Sequence, residues 1–312
     1  MKSAPTQCVV CSVDGEPLVW NGMEVLRCPR CRLAWRSSFD ISADYYALLH
    51  EGETGIGGGK AATRLRNAED RLASTKKFLP TSGICDIGCG DGSFLSVLRE
   101  KGYRECWGIE PSAYACELAS GKKLEVVQGT IADLPQAAQG RALDTITLFH
   151  VIEHVPDPLE VLQIFRDALP PGGILIIETP DADAALQRVT EHTNALVYRE
   201  HLFYWTEPSL RRVLAQKGFE VLAVGHRSFD WRHSSLSSSL MRLGLGRGRA
   251  ASGFPADPGG IRRDAPSRQR MASGEPPSPK GGVIRAMVRA LLARIVHLLK
   301  RDDYLLVIVQ RL

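Results

Sequence analysis

Between residues 81 and 180, short apolar runs alternate with longer stretches whose apolar positions follow helical spacing. The apolar runs predict buried strands, and they lie at 84–88, 105–110, 124–129, 143–150 and 173–180. The stretches between them predict helices that end where glycine or proline stops the pattern. Strands that alternate with helices predict an α/β fold with a doubly wound, mostly parallel sheet covered on both faces.

The pattern continues beyond residue 200. Thr206 is placed to cap a helix over 209–217, and a strand is predicted at 219–224. The β-prone residues 304–312 predict a last strand at the C-terminal end. Ahead of the alternating region, apolar residues among charges predict a further helix over 60–79.

Composition places the chain among ordinary globular proteins: its 312 residues are 44% hydrophobic and 24% charged, with a formal net charge of +4. A balance this close to neutral argues against a chain built as a whole for nucleic acid. The start of the chain carries no long apolar run typical of a secretory signal, and no apolar stretch is long enough to span a bilayer. We therefore expect a cytoplasmic protein.

Four of the eight cysteines form two CxxC pairs, Cys8 with Cys11 and Cys28 with Cys31, separated by sixteen residues. Two such pairs at this spacing predict a tetrahedral zinc site made of four thiolates. Because the thiolates fill every coordination position, the zinc is expected to be structural and to stabilise a small module of residues 1–39. A redox role would need a thioredoxin-like context, which the sequence lacks.

A glycine-rich loop, CDIGCGDGS, follows the first strand of the alternating region. Its glycines, Gly88, Gly90 and Gly92, are spaced G-x-G-x-G, whereas a dinucleotide fingerprint requires G-x-G-x-x-G or A. Asp86 and Asp91 flank the loop, and they would repel a pyrophosphate but attract the ammonium and sulfonium of an S-adenosyl ligand. The simpler alternative is a tight strand-to-helix turn with solvated aspartates.

Glu110 ends the next predicted strand, about twenty residues beyond the loop, where a carboxylate suits a ribose diol in either ligand. The segments ICDIGCGDGSFL, WGIEPS, GTIADLP, LFHVIEHVPDP and LPPGGILIIETPD together resemble, in order and spacing, class I S-adenosylmethionine-dependent methyltransferases. The resemblance covers roughly 60–227 and the last strand. It implies a seven-stranded sheet whose last strand is antiparallel and inserted beside the sixth.

The resemblance also implies a cofactor site at the carboxyl ends of the strands. Asp86 and the glycines would line the methionine end of the cofactor, and Glu110 would hold the ribose. Asp133 and Leu134 would contact the adenine, although Asp133 also fits a turn at the start of a helix. The residues expected to bind the cofactor are Asp86, Gly88, Cys89, Gly90, Asp91, Gly92, Glu110, Pro111, Asp133, Leu134 and His150.

Methyl transfer to a hydroxyl or a carbon acid requires the acceptor to lose a proton, and histidine suits this task near neutral pH. His154 follows the fourth strand, and His201 lies between the fifth strand and the following helix, where this fold builds its acceptor side. We expect His154 or His201 to be the general base. The alternative for His154 is a hydrogen bond that braces its loop. The aromatic residues 203–205 fit either an acceptor pocket or the core.

The N-terminal module resembles the zinc-ribbon-like module of some methyltransferases that act on sugars, through CPRCRLAWRSSFD and the DYY beyond it. The basic, low-complexity insertion at 228–303 departs from those enzymes, so the resemblance implies a glycan-type acceptor without naming a sugar. An amphipathic helix over 283–301 ends the insertion, with arginines along both borders of its apolar face. This helix fits either a cover over the acceptor site or peripheral contact with an anionic membrane surface.

We therefore expect an enzyme that transfers a methyl group from S-adenosylmethionine to oxygen or carbon of a small-molecule or glycan-type acceptor. The expected organisation is a zinc-ribbon-like module at 1–39, a connector and helix at 40–80, a methyltransferase core at 81–227 plus 304–312, and the insertion. A non-catalytic S-adenosylmethionine-binding scaffold is the main alternative, and a nicotinamide-dependent oxidoreductase is opposed by the glycine spacing. Nucleic acid is not the expected partner, because no basic motif interleaved with aromatic residues occurs.

Overall fold

The structure is a computed structural model that describes residues 4–20, 22–39, 61–184, 200–227 and 304–312. The predicted connector at 40–59 and the predicted insertion at 228–303, with its helix over 283–301, lie outside the described residues. No helix in the described part of the chain is long and apolar enough to cross a membrane.

Strands and helices alternate through most of the described chain. The strands are β1 (Glu16–Trp20), β2 (Met23–Arg27), β3 (Ala34–Arg36), β4 (Ile84–Ile87), β5 (Cys106–Glu110), β6 (Glu125–Gln128), β7 (Thr145–Phe149), β8 (Ile174–Pro180), β9 (Phe203–Tyr204), β10 (Phe219–Arg227) and β11 (Tyr304–Arg311). The α-helices are α1 (Ala61–Thr75), α2 (Ser93–Glu100), α3 (Ala113–Gly121), α4 (Leu134–Ala137), α5 (Pro158–Ala168) and α6 (Glu207–Gln216). Short 3₁₀ turns occupy Ile131–Asp133 and Ile152–His154.

A seven-stranded sheet in the order β10-β11-β8-β7-β4-β5-β6 forms the centre of the molecule. Strands β4 to β8 pair in parallel, and Asp86 of β4 lies opposite Thr147 of β7 and Gly108 of β5. Strand β11 lies between β10 and β8 and is antiparallel to both. The predicted α/β fold, with an antiparallel last strand inserted beside the sixth strand of the sheet, is confirmed.

Burial explains why the apolar runs form the central strands. Every residue of β4, β7 and β8 is buried, as expected for parallel strands covered on both faces. The helix predicted over 60–79 is shorter in the structure, since α1 ends at Thr75. The N–H of Phe78 donates to the carbonyl of Thr75 at 2.8 Å, and this turn directs Phe78 onto a buried cluster instead of continuing the helix.

A second, antiparallel sheet has the order β1-β2-β3-β9. Strand β9 comes from the segment after β8, so the N-terminal strands share a sheet with the part of the chain that follows the parallel strands. Ala34 and Trp35 of β3 lie opposite Tyr204 and Phe203 of β9. The interpretation of residues 203–205 as pocket or core missed this strand, because two residues are too few to show a strand pattern. Trp35 and Phe203 belong to one buried cluster, so the core is continuous between the sheets.

Candidate functional site

The loop between β4 and α2 is closed by backbone hydrogen bonds to β5. The N–H of Gly88 donates to the carbonyl of Ile109 at 2.8 Å, and the φ of Gly88 is +68°, a conformation that favours glycine. A Cβ at this position would lie 2.6 Å from Cγ2 of Val151. Glycine is therefore required here, and it keeps the backbone close to the strand ends where open α/β sheets bind ligands.

Asp86 is buried near the end of β4, and its Oδ1 accepts a hydrogen bond from the Thr147 hydroxyl at 2.6 Å. Burial raises the pKa of Asp86 to about 7, against the lowering effect of Thr147 and Arg71. A fraction of the carboxyl groups is therefore protonated at neutral pH, and a nearby cationic ligand would favour the ionised form. Asp86 thus fits the amino end of a methionine-like ligand.

Glu110 ends β5 and is 2% exposed. Its Oε2 accepts from the N–H of Gly90 at 2.9 Å, and its Oε1 accepts from the N–H of Ser112 at 2.9 Å. These bonds hold the carboxylate between the glycine loop and α3. Each oxygen keeps a lone pair that can accept a ribose hydroxyl. Pro111 follows at the surface, while Cys89 of the loop is buried.

Asp91 has protein partners for both carboxylate oxygens. Its Oδ2 lies 3.0 Å from Nε of Arg64 and 3.1 Å from Nζ of Lys122, and its Oδ1 accepts from the Ser93 hydroxyl at 2.6 Å. Burial acts in the opposite direction, but these contacts lower the pKa of Asp91. Asp91 was expected to oppose a pyrophosphate together with Asp86, and in the structure its charge is compensated by Arg64 and Lys122. Its contact with the cofactor stays a prediction.

Asp133 takes part in a capping box at the turn after β6. Its Oδ2 accepts from the N–H of Thr130 at 2.7 Å and from the Thr130 hydroxyl at 3.0 Å. Asp133 is exposed, whereas Leu134 is fully buried. The turn that the sequence left open for Asp133 is present, and contact of either residue with an adenine stays a prediction.

His150 follows β7 with a φ of +61°, which is uncommon for a residue other than glycine. Its Nδ1 lies 3.3 Å from Oε1 of Glu153, and its Nε2 lies 3.3 Å from Oε1 of Glu178. Burial alone would lower the pKa of His150, but the two carboxylates outweigh it and raise the pKa to about 9. The imidazole is therefore a cation at neutral pH and is not available to accept a proton.

His154 and His201 lie against each other, with ring centroids 4.8 Å apart and ring planes at 72°. Nδ1 of His154 lies 3.0 Å from the carbonyl oxygen of Glu200. Because a carbonyl oxygen only accepts hydrogen bonds, Nδ1 of His154 is the donor in this contact. The structure thus brings together the two histidines expected as bases, and it also contains the bracing bond expected for His154.

Two groups of side chains among the described residues have ligand atoms close enough to share a metal ion. One group is Glu153, His154 and His201, whose ligand atoms lie within 4.8 Å of one another. Oε2 of Glu153 also accepts from the Thr179 hydroxyl at 2.9 Å. Two histidines and a carboxylate can bind a divalent metal, or they can accept and relay a proton without one.

The other group consists of Cys8, Cys11, Cys28 and Cys31, whose sulfur atoms lie within 4.8 Å of one another. The two CxxC turns are closed by equivalent hydrogen bonds. The N–H of Cys8 donates to the carbonyl of Val13, and the N–H of Cys28 donates to the carbonyl of Leu33, each at 2.8 Å. Sγ of Cys8 lies 3.6 Å from Sγ of Cys31. Thiolates that share a tetrahedral zinc with bonds of about 2.3 Å are separated by about 3.8 Å. The four cysteines therefore fit the expected structural zinc.

Sequence reasoning missed several charged residues at this end of the sheet. Glu178 is fully buried in β8, and its Oε1 accepts from Nε and Nη2 of Arg71 at 2.9 and 2.8 Å. A charged residue within an apolar run was the available signal, since charges are seldom fully buried without a partner. Asp181 and His226 form another pair, with Oδ2 3.3 Å from Nδ1. Their separation along the chain left no local signal.

Comparison with known proteins finds a family model and several curated relatives that match part of the chain. Residues 60–224 match the model of a family described as a methyltransferase domain. The chain is 33% identical over 105 residues to a ubiquinone biosynthesis O-methyltransferase of Actinobacillus pleuropneumoniae, covering 31% of this chain and 44% of that protein. It is 28% identical over 193 residues to a tRNA U34 carboxymethyltransferase of Vibrio atlanticus, covering 55% and 58% of the two chains. This chain spans about half the length of these curated relatives.

A solved structure with a similar fold is that of a SAM-dependent methyltransferase from Archaeoglobus fulgidus. The TM-score is 0.48 at 15% identity, over 78% of this chain and 94% of that chain. The family match spans more than half of the present chain and includes the glycine loop, Glu110 and His154. The chain therefore belongs to the methyltransferase domain family.

Proposed function

We propose that this chain transfers the methyl group of S-adenosylmethionine to an oxygen or carbon atom of a small-molecule or glycan-type acceptor. The observation that carries the proposal is the 2.9 Å hydrogen bond from the N–H of Gly90 to Glu110, which sets a buried carboxylate beside the glycine loop. A ribose diol suits this carboxylate, and a cationic amino acid end suits Asp86. S-adenosylmethionine has both features and supplies an electrophilic methyl group when bound.

The role of the chain is to orient the reactants and to accept the proton of the acceptor. In a displacement at carbon, positioning supplies much of the rate. We assign the general base to His154 or His201, because these rings lie in contact beyond the end of β7, and Nδ1 of His154 faces the carbonyl of Glu200, which leaves Nε2 as the nitrogen that would accept the proton. The carboxylates of Glu153 and Glu178 raise the pKa of His150 to about 9, so its imidazole would be a cation at neutral pH and would not act as the base.

A small-molecule or glycan-type acceptor is favoured over nucleic acid by the charges near these histidines. Among the described residues at this end of the sheet, Arg71 is already paired with the buried Glu178 and Arg32 with the buried Asp183. They therefore do not form a free basic surface for a phosphate backbone. The names of the curated relatives refer to both ubiquinone biosynthesis and tRNA, so an assay of function must distinguish a small-molecule acceptor from RNA.

Transfer of a labelled methyl group from S-adenosylmethionine to fractions of a cell extract tests this function. We expect label in a small-molecule or glycan fraction with the wild-type chain, and a loss of about a hundredfold or more in His154→Ala or His201→Ala. Ser74→Ala is the matched control, because this exposed hydroxyl bonds only within α1, to the carbonyl of Asp70.

Each other result has a defined meaning. Label in the RNA fraction would show that the acceptor is RNA and not a small molecule or glycan. Full turnover in both histidine variants would show that neither His154 nor His201 is the general base. Calorimetric binding of S-adenosylhomocysteine without transfer to any fraction would favour the non-catalytic scaffold. Tight binding of NADH in place of S-adenosylhomocysteine would contradict the proposed function altogether.

A further inference from the structure

We propose that the zinc module positions the part of the site that contains His154 and His201, here named the acceptor half. Release of zinc would then loosen residues 200–206 and leave the glycine loop unchanged. The zinc module means residues 4–39 with their four thiolates, and residues 200–206 are named the acceptor segment because they contain His201. The role given to His201 rests on the proposed function. The physical link between zinc and the segment does not, and it can be tested without an acceptor.

The acceptor segment is hydrogen-bonded on both sides. Toward the zinc module, β9 pairs with β3, and the N–H of Arg36 donates to the carbonyl of Leu202 at 3.0 Å. Toward the methyltransferase core, the N–H of Leu202 donates to the carbonyl of Glu153 at 2.8 Å, and the N–H of Ala182 donates to that of Trp205 at 2.7 Å. The segment is thus shared between the two parts of the molecule, and a displacement of β3 would move it directly.

One of the zinc ligands is itself bonded to the acceptor segment. The carbonyl of Cys31 accepts a hydrogen bond from the Thr206 hydroxyl at 2.8 Å, and all the atoms involved are buried. Thr206 is also the N-cap of α6, where its Oγ1 accepts from the N–H of Ser209 at 3.3 Å. Because zinc would fix the turn that contains Cys31, loss of zinc would release the group that holds Thr206.

Aromatic contacts lead from the zinc module to the two candidate bases. Trp20 of β1 packs edge-on against Tyr204, with ring centroids 5.4 Å apart. The ring of Tyr204 lies 6.1 Å from that of His201, and His201 lies 4.8 Å from His154. A shift of Tyr204 would therefore change the surroundings of His201 and the geometry of the histidine pair.

The zinc module also contacts the carboxyl end of β8, where Arg27 and Arg32 both form ion pairs with Asp183. The glycine loop is held differently, by bonds within the core from Gly88 and Gly90 to β5. Zinc loss is therefore expected to affect the acceptor half more than the cofactor half, which is the part of the site formed by the glycine loop and Glu110.

Hydrogen–deuterium exchange before and after zinc removal with a chelator tests this proposal. Metal analysis should first give about one zinc per chain. After zinc removal, we expect amide exchange in the acceptor segment and in 181–184 to become about tenfold faster or more. Peptides that cover 84–93 and 106–112 should exchange as before, and S-adenosylhomocysteine affinity should stay within about twofold in calorimetry.

Substitutions at Thr206 test the same link with zinc still bound. Thr206→Val removes the hydroxyl, so we expect faster exchange of the acceptor segment and shifted imidazole NMR signals of His201 and His154. Thr206→Ser keeps the hydroxyl and should restore both. Gln216→Ala is the matched control, since it removes another bond to the zinc module, from Nε2 to the carbonyl of Val10 at 3.1 Å, but lies at the far end of α6.

Unchanged exchange in the acceptor segment after zinc loss would overturn the proposal, as would a folded protein that holds no zinc. Equal acceleration at 84–93 would also overturn it, because zinc would then support the whole fold. Thr206→Ser that behaves like Thr206→Val would exclude the hydroxyl as the link. Failure of the zinc-loaded protein to bind S-adenosylhomocysteine would count against the proposed function alone, because the exchange and NMR measurements need no cofactor.

Discussion

The cofactor half and the acceptor half of the site meet at the carboxyl end of one sheet, yet they are assembled differently. In the cofactor half, Glu110 is bonded to residues 20 and 2 positions away, Gly90 and Ser112. In the acceptor half, the corresponding bonds join residues 46 positions apart, from His154 to Glu200, and 107 positions apart, from Arg71 to Glu178. The bonds that shape the glycine loop are thus more local than those of the acceptor half, although Asp86 is also bonded to Thr147, 61 positions away.

This difference predicts which half of the site varies more among related proteins. A loop whose shape depends on its own glycines and backbone bonds keeps its ligand when its surroundings change. A cluster of charges drawn from several segments changes whenever one segment changes. The relatives' names are consistent with this view, since they share methyl or carboxymethyl transfer but differ in what they act on.

The largest effect is expected from a substitution that prevents cofactor binding and leaves the acceptor half unchanged. Asp86→Arg places a cation in a buried position suited to a cationic ligand, so S-adenosylhomocysteine affinity should fall more than a hundredfold, or about 2.7 kcal/mol. Calorimetry measures the affinity, and circular dichroism checks that the variant folds. Unchanged affinity in a folded variant would place the ligand elsewhere.

A milder change at the same position separates stability from binding. Because burial raises the pKa of Asp86 to about 7, the folded state holds its proton more tightly than the unfolded state, and stability falls as pH rises from about 4 to about 7. Asp86→Asn should therefore be more stable than wild type by about 1 to 3 kcal/mol at pH 8, with little difference at pH 4. Urea unfolding at both pH values measures this, and affinity for S-adenosylhomocysteine should drop in parallel. An Asn variant that is less stable at pH 8 would contradict the assigned cost of the buried charge.

The same contrast explains what the sequence could and could not predict. The parallel strands and the glycine loop were predictable, because apolar periodicity and glycine spacing are local properties. The place of the last strand in the sheet came only from the resemblance to the methyltransferase family. Strand β9 was not predictable, since its two residues become a strand only by pairing with Ala34 and Trp35. Glu178 could be noticed only as a charge within an apolar run, because its partners, Arg71 and His150, are brought to it by the fold.

His150, a residue expected to contact the cofactor, gives a pH test of its pairing with Glu153 and Glu178. Its pKa of about 9 means that its interaction with Glu153 and Glu178 stabilises the folded state fully below pH 6.5 and is lost as pH rises through 9. The free energy of unfolding should fall by roughly 1 to 2 kcal/mol between these values, less than the full shift because the ring is partly exposed. His150→Gln should flatten this dependence in urea unfolding. A fall that is equally steep in both proteins would assign it to another group.

The smallest effect is expected at the rim of the cofactor half. If Asp133 accepts from the adenine amino group, Asp133→Ala should weaken S-adenosylhomocysteine binding about threefold to tenfold, the value of one hydrogen bond. Because Oδ2 of Asp133 already accepts from Thr130, the substitution also loosens the turn, and Thr130→Val is the control that removes a turn bond but keeps the carboxylate. Equal losses in the two variants would mean that Asp133 acts only through its turn. A loss specific to Asp133→Ala would extend the cofactor half beyond β6.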